Sequence, residues 1–365
     1  MGGGSGSGPK SDKEDSPMMS TRRRALGASV AFVACFSIPL SADAAPRPVF
    51  APGGGGFADP TVVSHNDQFY GMSTGSLAPS AQGNIGTGPW TSEGPALTAK
   101  PSWATSGVMW APDLERIGAN EWVLYFAAPV AGLDENQRCI GAATGSSPLG
   151  PFTPVAGGPL VCPGRANTPS PDDTIPDRPL TNAGVIDPSG FKDSDGTRFL
   201  LYKTQQLPSS LRIVRLNAAG THVASGATSR QLLRSDRIVE NPVLVKRAGD
   251  YILFASRGPY NKCTYETIWM RANGVGTNAF NTVTQHLLLT DANTGGVCGP
   301  GGADITAALD GGQRIFFHGW LCGSGPCPVN FDAQTDEGGR RGMYLGVLGW
   351  DSNDNPVVSK FLSPE

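Results

Sequence analysis

A short unit recurs five times along this 365-residue chain: an acidic residue heading a weakly alternating apolar run, then a polar turn, then a returning run rich in aromatics. The copies read DPTVVSHNDQFYGMST from Asp59, DLERIGANEWVLYFAA from Asp113, DPSGFKDSDGTRFLLYK from Asp187, ENPVLVKRAGDYILFAS from Glu240 and DITAALDGGQRIFFHGW from Asp304, spaced by 54, 74, 53 and 64 residues. Two β-type runs around a turn read as a hairpin. Hairpins that recur with such a period mark the blades of a propeller. The expected fold is therefore all-β, a five-bladed β-propeller. The returning strand begins at Phe69, Trp122, Phe199, Tyr251 and Ile315, which lie 10, 9, 12, 11 and 11 positions after the acidic residues. That near-constant offset predicts that the acidic residue keeps one place in every blade, and radial packing would turn all five toward one axis.

Composition fits. With 49 Gly, 31 Pro and 16% charged residues the chain is rich in turns and poor in amphipathic helix. CIGAAT (139–144), LRIVRL (211–216) and TIWMRA (267–272) read as third strands of their blades, and MYLGVLG (343–349) as a further strand of the last. The Pro-rich stretch Pro163–Pro179 is the longest loop insertion. No composition break interrupts residues 45–365, which are read as a single catalytic domain.

Residues 1–44 read as a secretory signal with a long polar leader: Arg22–Arg24, an apolar run from Ala25 to Leu40, and small residues at Ala42 and Ala44. The run is too short for a membrane span of about twenty residues, so the chain is expected to be secreted, extracellular and free of membrane after cleavage. Six cysteines remain beyond the signal, an even set that suits three disulfides in an oxidising compartment. Cys322 is expected to close a small loop with Cys327, and Cys139 to reach Cys162. A zinc site from Cys298, His318, Cys322 and Cys327 lacks the usual ligand spacing. Net charge is −3 and no long basic stretch occurs outside the leader, which excludes nucleic acid as a partner.

The acidic copies differ in their prolines. Asp59 and Asp187 directly precede one and Glu240 has one two positions on, whereas Asp113 follows a proline and Asp304 has none nearby. That separates a trio, Asp59, Asp187 and Glu240, from two carboxylates assigned to structure. Two carboxyls flanking a glycosidic bond, one protonated and one ionised, suffice for its hydrolysis. A third nearby keeps the acid protonated by like-charge repulsion. Trp110, ahead of Asp113, offers an aromatic wall for a sugar ring. No serine-hydrolase elbow, P-loop or dinucleotide fingerprint is present.

In order along the chain, FADPTVV with FYGMST, WAPDLERIGANEWVLYFAA, VIDPSGFKDSDGTRFLLYK, VENPVLVKRAGDYILFAS and GGADITAALDGGQRIFFHGW resemble the successive blade motifs of glycoside hydrolase family 43. That family includes arabinofuranosidases, arabinanases and β-xylosidases. The resemblance implies an inverting glycosidase with Asp59 as general base, Glu240 as general acid and Asp187 orienting and tuning the acid. It also places His318, in FFHGW, where a histidine often helps hold a calcium ion in the central channel. The β-fructofuranosidases share the design, but their WMNDPNG-like opening is absent around Asp59. The expected partner is an arabinose- or xylose-containing oligo- or polysaccharide, met by a monomer. The alternative is a non-catalytic carbohydrate-binding propeller of the same fold.

Overall fold

The structure is a computed structural model that describes residues 1–2, 45–53, 56–84, 86–168, 183–323, 325–336 and 339–364. The expected signal, apart from its first two residues, lies outside them, as does the loop stretch from 169 onward. Asp43–Glu365 make up one compact unit. Among the described residues it contains twenty strands and no helix, so none is long and apolar enough to cross a membrane.

The strands form five antiparallel four-stranded sheets, each a simple meander. The first blade is β1 (Thr61–His65), β2 (Gln68–Met72), β3 (Pro79–Gly83) and β4 (Trp90–Pro95). The second is β5 (Trp110–Gly118), β6 (Glu121–Pro129), β7 (Arg138–Gly145) and β8 (Thr153–Pro154). The third is β9 (Val185–Lys192), β10 (Arg198–Thr204), β11 (Ser209–Arg215) and β12 (Arg230–Ser235). The fourth is β13 (Val239–Arg247), β14 (Asp250–Arg257), β15 (Glu266–Ala272) and β16 (His286–Leu289). The fifth is β17 (Cys298–Ala307), β18 (Gln313–Cys322), β19 (Gly339–Trp350) and β20 (Pro356–Leu362). The innermost strands β1, β5, β9, β13 and β17 touch one another around the ring, so the all-β five-bladed propeller is present.

Each expected hairpin turn falls between the first two strands of a blade. Asn66 and Asp67 both have positive φ, 47° and 59°, as a two-residue hairpin turn requires. Ala248 and Gly249 repeat that geometry between β13 and β14. The second strands read as continuous apolar runs because both of their faces are covered. On β14, Ile252 and Phe254 face the fifth blade while Leu253 and Ala255 face the third. The core is accordingly divided into five apolar seams, one between each pair of neighbouring blades. Two of the outermost strands escaped the sequence reading because they are polar or very short: WTSEGP in β4 and TP in β8.

First and last blades share no sheet. Their seam is packed by Phe316 against Phe69 and Trp90, with ring centroids 5.6 and 6.0 Å away. The segment ahead of β1 also bonds along β19, where Val49 N donates to Met343 O and Phe57 N to Arg341 O at 2.8 and 2.7 Å.

The pairing register corrects one expectation: the five acidic residues do not share one place. Thr61, Asp113, Ser189, Val243 and Asp304 are the equivalent residues, facing Met72, Tyr125, Leu201, Phe254 and Phe316. Two positions earlier stand Asp59, Ala111, Asp187, Asn241 and Gly302, all at positive φ between 39° and 56°. The next residue is Pro60, Pro112, Pro188, Pro242 or Ala303. Asp59 and Asp187 are thus true equivalents, Glu240 lies one residue before that place, and Asp113 and Asp304 lie two after it. The offset to the second strand misled because the equivalent residues lie a constant 11 or 12 positions from their partners, while the acidic residues stand up to three places apart within that frame, a shift hidden in the spread of 9 to 12.

Phe316→Ala would open a cavity at the seam that closes the ring. A loss of about 3–5 kcal/mol is expected, read as a lower midpoint in denaturant unfolding with the slope unchanged.

Candidate active site

The left-handed residue at the head of each inner strand decides which side chains reach the axis. Such a backbone is strained for any residue with a Cβ and least so for Asn and Asp, which here occupy three of the five places. At the fifth only glycine fits, since a Cβ on Gly302 would lie 2.5 Å from His318 Nδ1. The bend points Asp59, Asp187 and, one residue earlier, Glu240 into one cavity of about 200 Å³. Thr74, Trp110, Ile186, Asn241, Tyr260 and Arg341 complete its lining.

Hydrogen bonds between neighbouring blades fix these turns. Thr74, Ala127, Lys203, Ser256 and His318 are the equivalent residues near the end of each second strand, opposite the residue before the bend. Thr74 Oγ1 accepts from Ala111 N at 2.9 Å, Ser256 Oγ from Gly302 N at 2.8 Å, and His318 Nδ1 from Asp59 N at 3.1 Å. In each case the bonded amide belongs to the next blade. Deeper in the channel the same device recurs: Asp304 Oδ2 accepts from Val62 N (2.7 Å), Thr61 Oγ1 from Leu114 N (3.1 Å) and Asp113 Oδ2 from Gly190 N (2.8 Å). Asp113 and Asp304 therefore bond backbone and do not line the cavity that holds Asp59, Asp187 and Glu240.

The trio divides by environment. Asp59 is buried, which raises a carboxyl's pKa, but Arg341 Nη1 lies 3.0 Å from Oδ1 and Thr74 Oγ1 donates to Oδ2 at 2.7 Å. These partners prevail and hold Asp59 ionised, well below the usual carboxylate range. Asp187 accepts one backbone bond, from Asn241 N at 3.0 Å. Burial and then the charge of Glu240 push it up to about 7. Glu240 receives Lys203 Nζ on Oε2 at 2.6 Å and Tyr265 O–H on Oε1 at 2.9 Å. One carboxylate is thus fixed as an anion, and another in the same cavity holds a proton near neutrality.

Trp110 lines the cavity and carries Arg138 on its face, 3.2 Å from the ring centroid. Trp103, seven residues earlier, is buried in the seam between the first two blades. His318 is fully buried and stacked on Tyr265, with its Nδ1 used by Asp59 N and its Nε2 without a partner among the described residues. Burial and the nearby Arg341 lower its pKa, so the ring is neutral.

Asn241 serves the site: its amide holds Asp187, and its Oδ1 lies 3.0 Å from the Tyr265 hydroxyl whose proton goes to Glu240. Arg341, Lys203, Tyr265, Thr74 and Tyr260 were not singled out from sequence. Lys203 left a trace, as a cation ending the apolar run RFLLYK. Arg341 left none, since it reaches Asp59 across 282 residues.

The disulfides are Cys139–Cys162, Cys263–Cys298 and Cys322–Cys327, including both expected pairs. Cys263, Cys298 and Cys327 bring their sulfurs within 4.8 Å of one another, but all three are disulfide-bonded. Cys263–Cys298 ties to β17 the segment that carries Tyr260 and Tyr265, and Trp320 Nε1 donates to Tyr260 O at 2.7 Å.

Solved structures with this fold include a thermostable family-43 glycoside hydrolase (19% identity, TM-score 0.65, 88% of this chain and 98% of that one). Others are an α-L-arabinanase of Cellvibrio cellulosa (19%, 0.64, 85% and 98%) and an endo-1,4-beta-xylanase of Bacteroides thetaiotaomicron (21%, 0.62, 87% and 98%). Comparison with curated protein sequences gives no match. The sequence profile of the glycosyl hydrolases family 43 matches residues 54–330, and the chain, a propeller with three carboxylates converging in one cavity, belongs to that family.

Proposed function

We propose that this glycosidase is secreted and hydrolyses arabinofuranosyl bonds, with xylosyl bonds as the second choice, in plant cell-wall polysaccharide, and that it inverts the anomeric centre. The observation that carries the reading is the divided protonation of Asp59, Asp187 and Glu240 within one cavity. Two walls able to stack on a sugar ring, Trp110 and Tyr260, support a carbohydrate ligand. The volume, about 200 Å³, is below the roughly 300–1,000 Å³ of drug-sized pockets and suits a single small ring. An arabinanase and a xylanase among the similar structures support a pentose polymer. Three disulfides support an exported protein.

In this reading Glu240 delivers a proton to the glycosidic oxygen as the bond to the anomeric carbon breaks. Asp59 takes a proton from the water that attacks the opposite face, and inversion follows from attack opposite the leaving group. Arg341 and Thr74 keep the base ionised and aimed. Asp187, whose hold on its own proton Glu240 strengthens, fixes through Asn241 N the backbone beside Glu240. A calcium ion beside His318 would find one protein donor, the buried Nε2, because Nδ1 is occupied and Asp59 is already engaged by Arg341 and Thr74. Calcium takes six to eight oxygens. The residues present do not fit a protein-built calcium shell, and no step uses an ion.

Glu240→Gln is expected to lower turnover of substrates with poor leaving groups by about 10²–10⁴-fold and to spare activated aryl glycosides. Asp59→Asn should damage both classes alike. The measurement is kcat on aryl arabinofuranosides and xylosides of graded leaving-group acidity, beside debranched arabinan. Binding without release of sugar would favour the non-catalytic alternative, and NMR of the first-formed anomer tests inversion.

The pH profile has a defined sign. Activity needs Asp59 ionised and a proton on the Asp187–Glu240 pair. With Asp59 held low, the acidic limb should lie below the ordinary carboxylate range, and kcat/KM should fall as pH rises through about 7. A rate rising through that window would contradict the assignment.

A further inference from the structure

Lys203 is the one cation among the five equivalent residues near the ends of the second strands. Thr74, Ser256 and His318 each accept a backbone amide of the next blade, and Ala127 has no polar atom with which to do so. An ammonium only donates, so Lys203 cannot serve this seam. The amide it leaves, Asn241 N, is taken by Asp187. Lys203 reaches into the same next blade but ends on Glu240, at 2.6 Å, with its side chain 8% exposed and that of Glu240 12% exposed. A buried lysine is costly unless paired. The sequence thus keeps a cation where the fold's own pattern calls for an acceptor, which indicates that its task concerns the carboxylate and not the seam.

The groups facing Glu240 come from several elements: Lys203 of β10, Asp187 of β9, Tyr265 ahead of β15 and, at longer range, His318 of β18. Lys203 is the one among them that carries a positive charge. Its own pKa, depressed by burial, is carried upward by Glu240 and Asp187, so it stays an ammonium. Facing the pair, it lowers the affinity of Asp187 for its proton, against burial and Glu240, which raise it.

We propose that Lys203 is a positioning residue for the hydrolysis: it fixes the orientation of the Glu240 carboxylate and sets the pH up to which the Asp187–Glu240 pair keeps the proton that the leaving group needs. The inference rests on the glycosidase reading for its consequence in turnover, but not for its electrostatics. An ammonium within about 4–6 Å lowers a carboxyl's pKa by roughly 1–3 units. Removing it lets the pair hold its proton to higher pH, so the basic limb moves upward by that amount.

Lys203→Met tests this in two ways. The basic limb of kcat/KM on an aryl glycoside should move up by about 1–3 pH units, and Lys203→Arg should return it toward the wild-type position. A lower rate with an unmoved limb would make the lysine merely structural and overturn the proposal. In parallel, the protein with ¹³C-labelled aspartate carboxyls, with Asp187 assigned through Asp187→Asn, reads the same shift as a titration without turnover. An Asp187 resonance that titrates identically in both proteins overturns the proposal too. If the wild type hydrolyses none of the glycosides, the glycosidase reading fails while the titration still answers for Lys203. Should Lys203→Met not fold, Lys203→Gln, neutral but polar, gives the same two readings.

Discussion

The left-handed residue near the start of each inner strand is the constraint on which this molecule depends. A strand that ran straight to the axis would alternate its side chains into the two seams and leave the channel to backbone. The bend at Asp59, Ala111, Asp187, Asn241 and Gly302 breaks that alternation and turns two successive side chains toward the axis. It is strained for residues with a Cβ, by about 1–3 kcal/mol each. The amides beside it are held by side chains of the neighbouring blade. The placement of the cavity's carboxylates and blade-to-blade cohesion are therefore one network. Asp59 belongs to both, since its amide is bonded by His318 while its carboxylate is held by Arg341 and Thr74.

The same network explains the division of labour among carboxylates. Residues at the bend face the cavity, and residues two positions on lie deeper, where Asp113 and Asp304 hold amides of the next blade. Burial and neighbouring carboxylates raise Asp113 well above its ordinary range, while burial brings Asp304 to about 6. Shifted carboxyls alone would thus have pointed to the wrong end of the channel. Position relative to the bend, and the partner on each oxygen, separate chemistry from structure here.

Much of the fold was legible because blade hairpins are local. The turn at Asn66-Asp67, the both-faces-buried runs and the third strands all have signals within about ten residues. The trio was legible for a related reason: proline marks the residue after the bend, and Asp59 and Asp187 stand directly before one. Aligning the copies on Pro60, Pro112, Pro188 and Pro242, and not on their acidic residues, would have revealed that Glu240 sits one place earlier and Asp113 two places later. The information was present, but the acidic residue was the wrong landmark.

By itself, the sequence determined the blade count, the hairpin pairing and the three carboxylates, because strand period, turn chemistry and X-Pro geometry act between neighbours in the chain. Only the tertiary structure decided which protonation state each carboxylate holds. That depends on burial and on groups brought from other blades: Arg341 against Asp59, Lys203 and Tyr265 against Glu240, and Glu240 against Asp187. Electrostatic interactions follow distance in space, and closing the ring sets those distances.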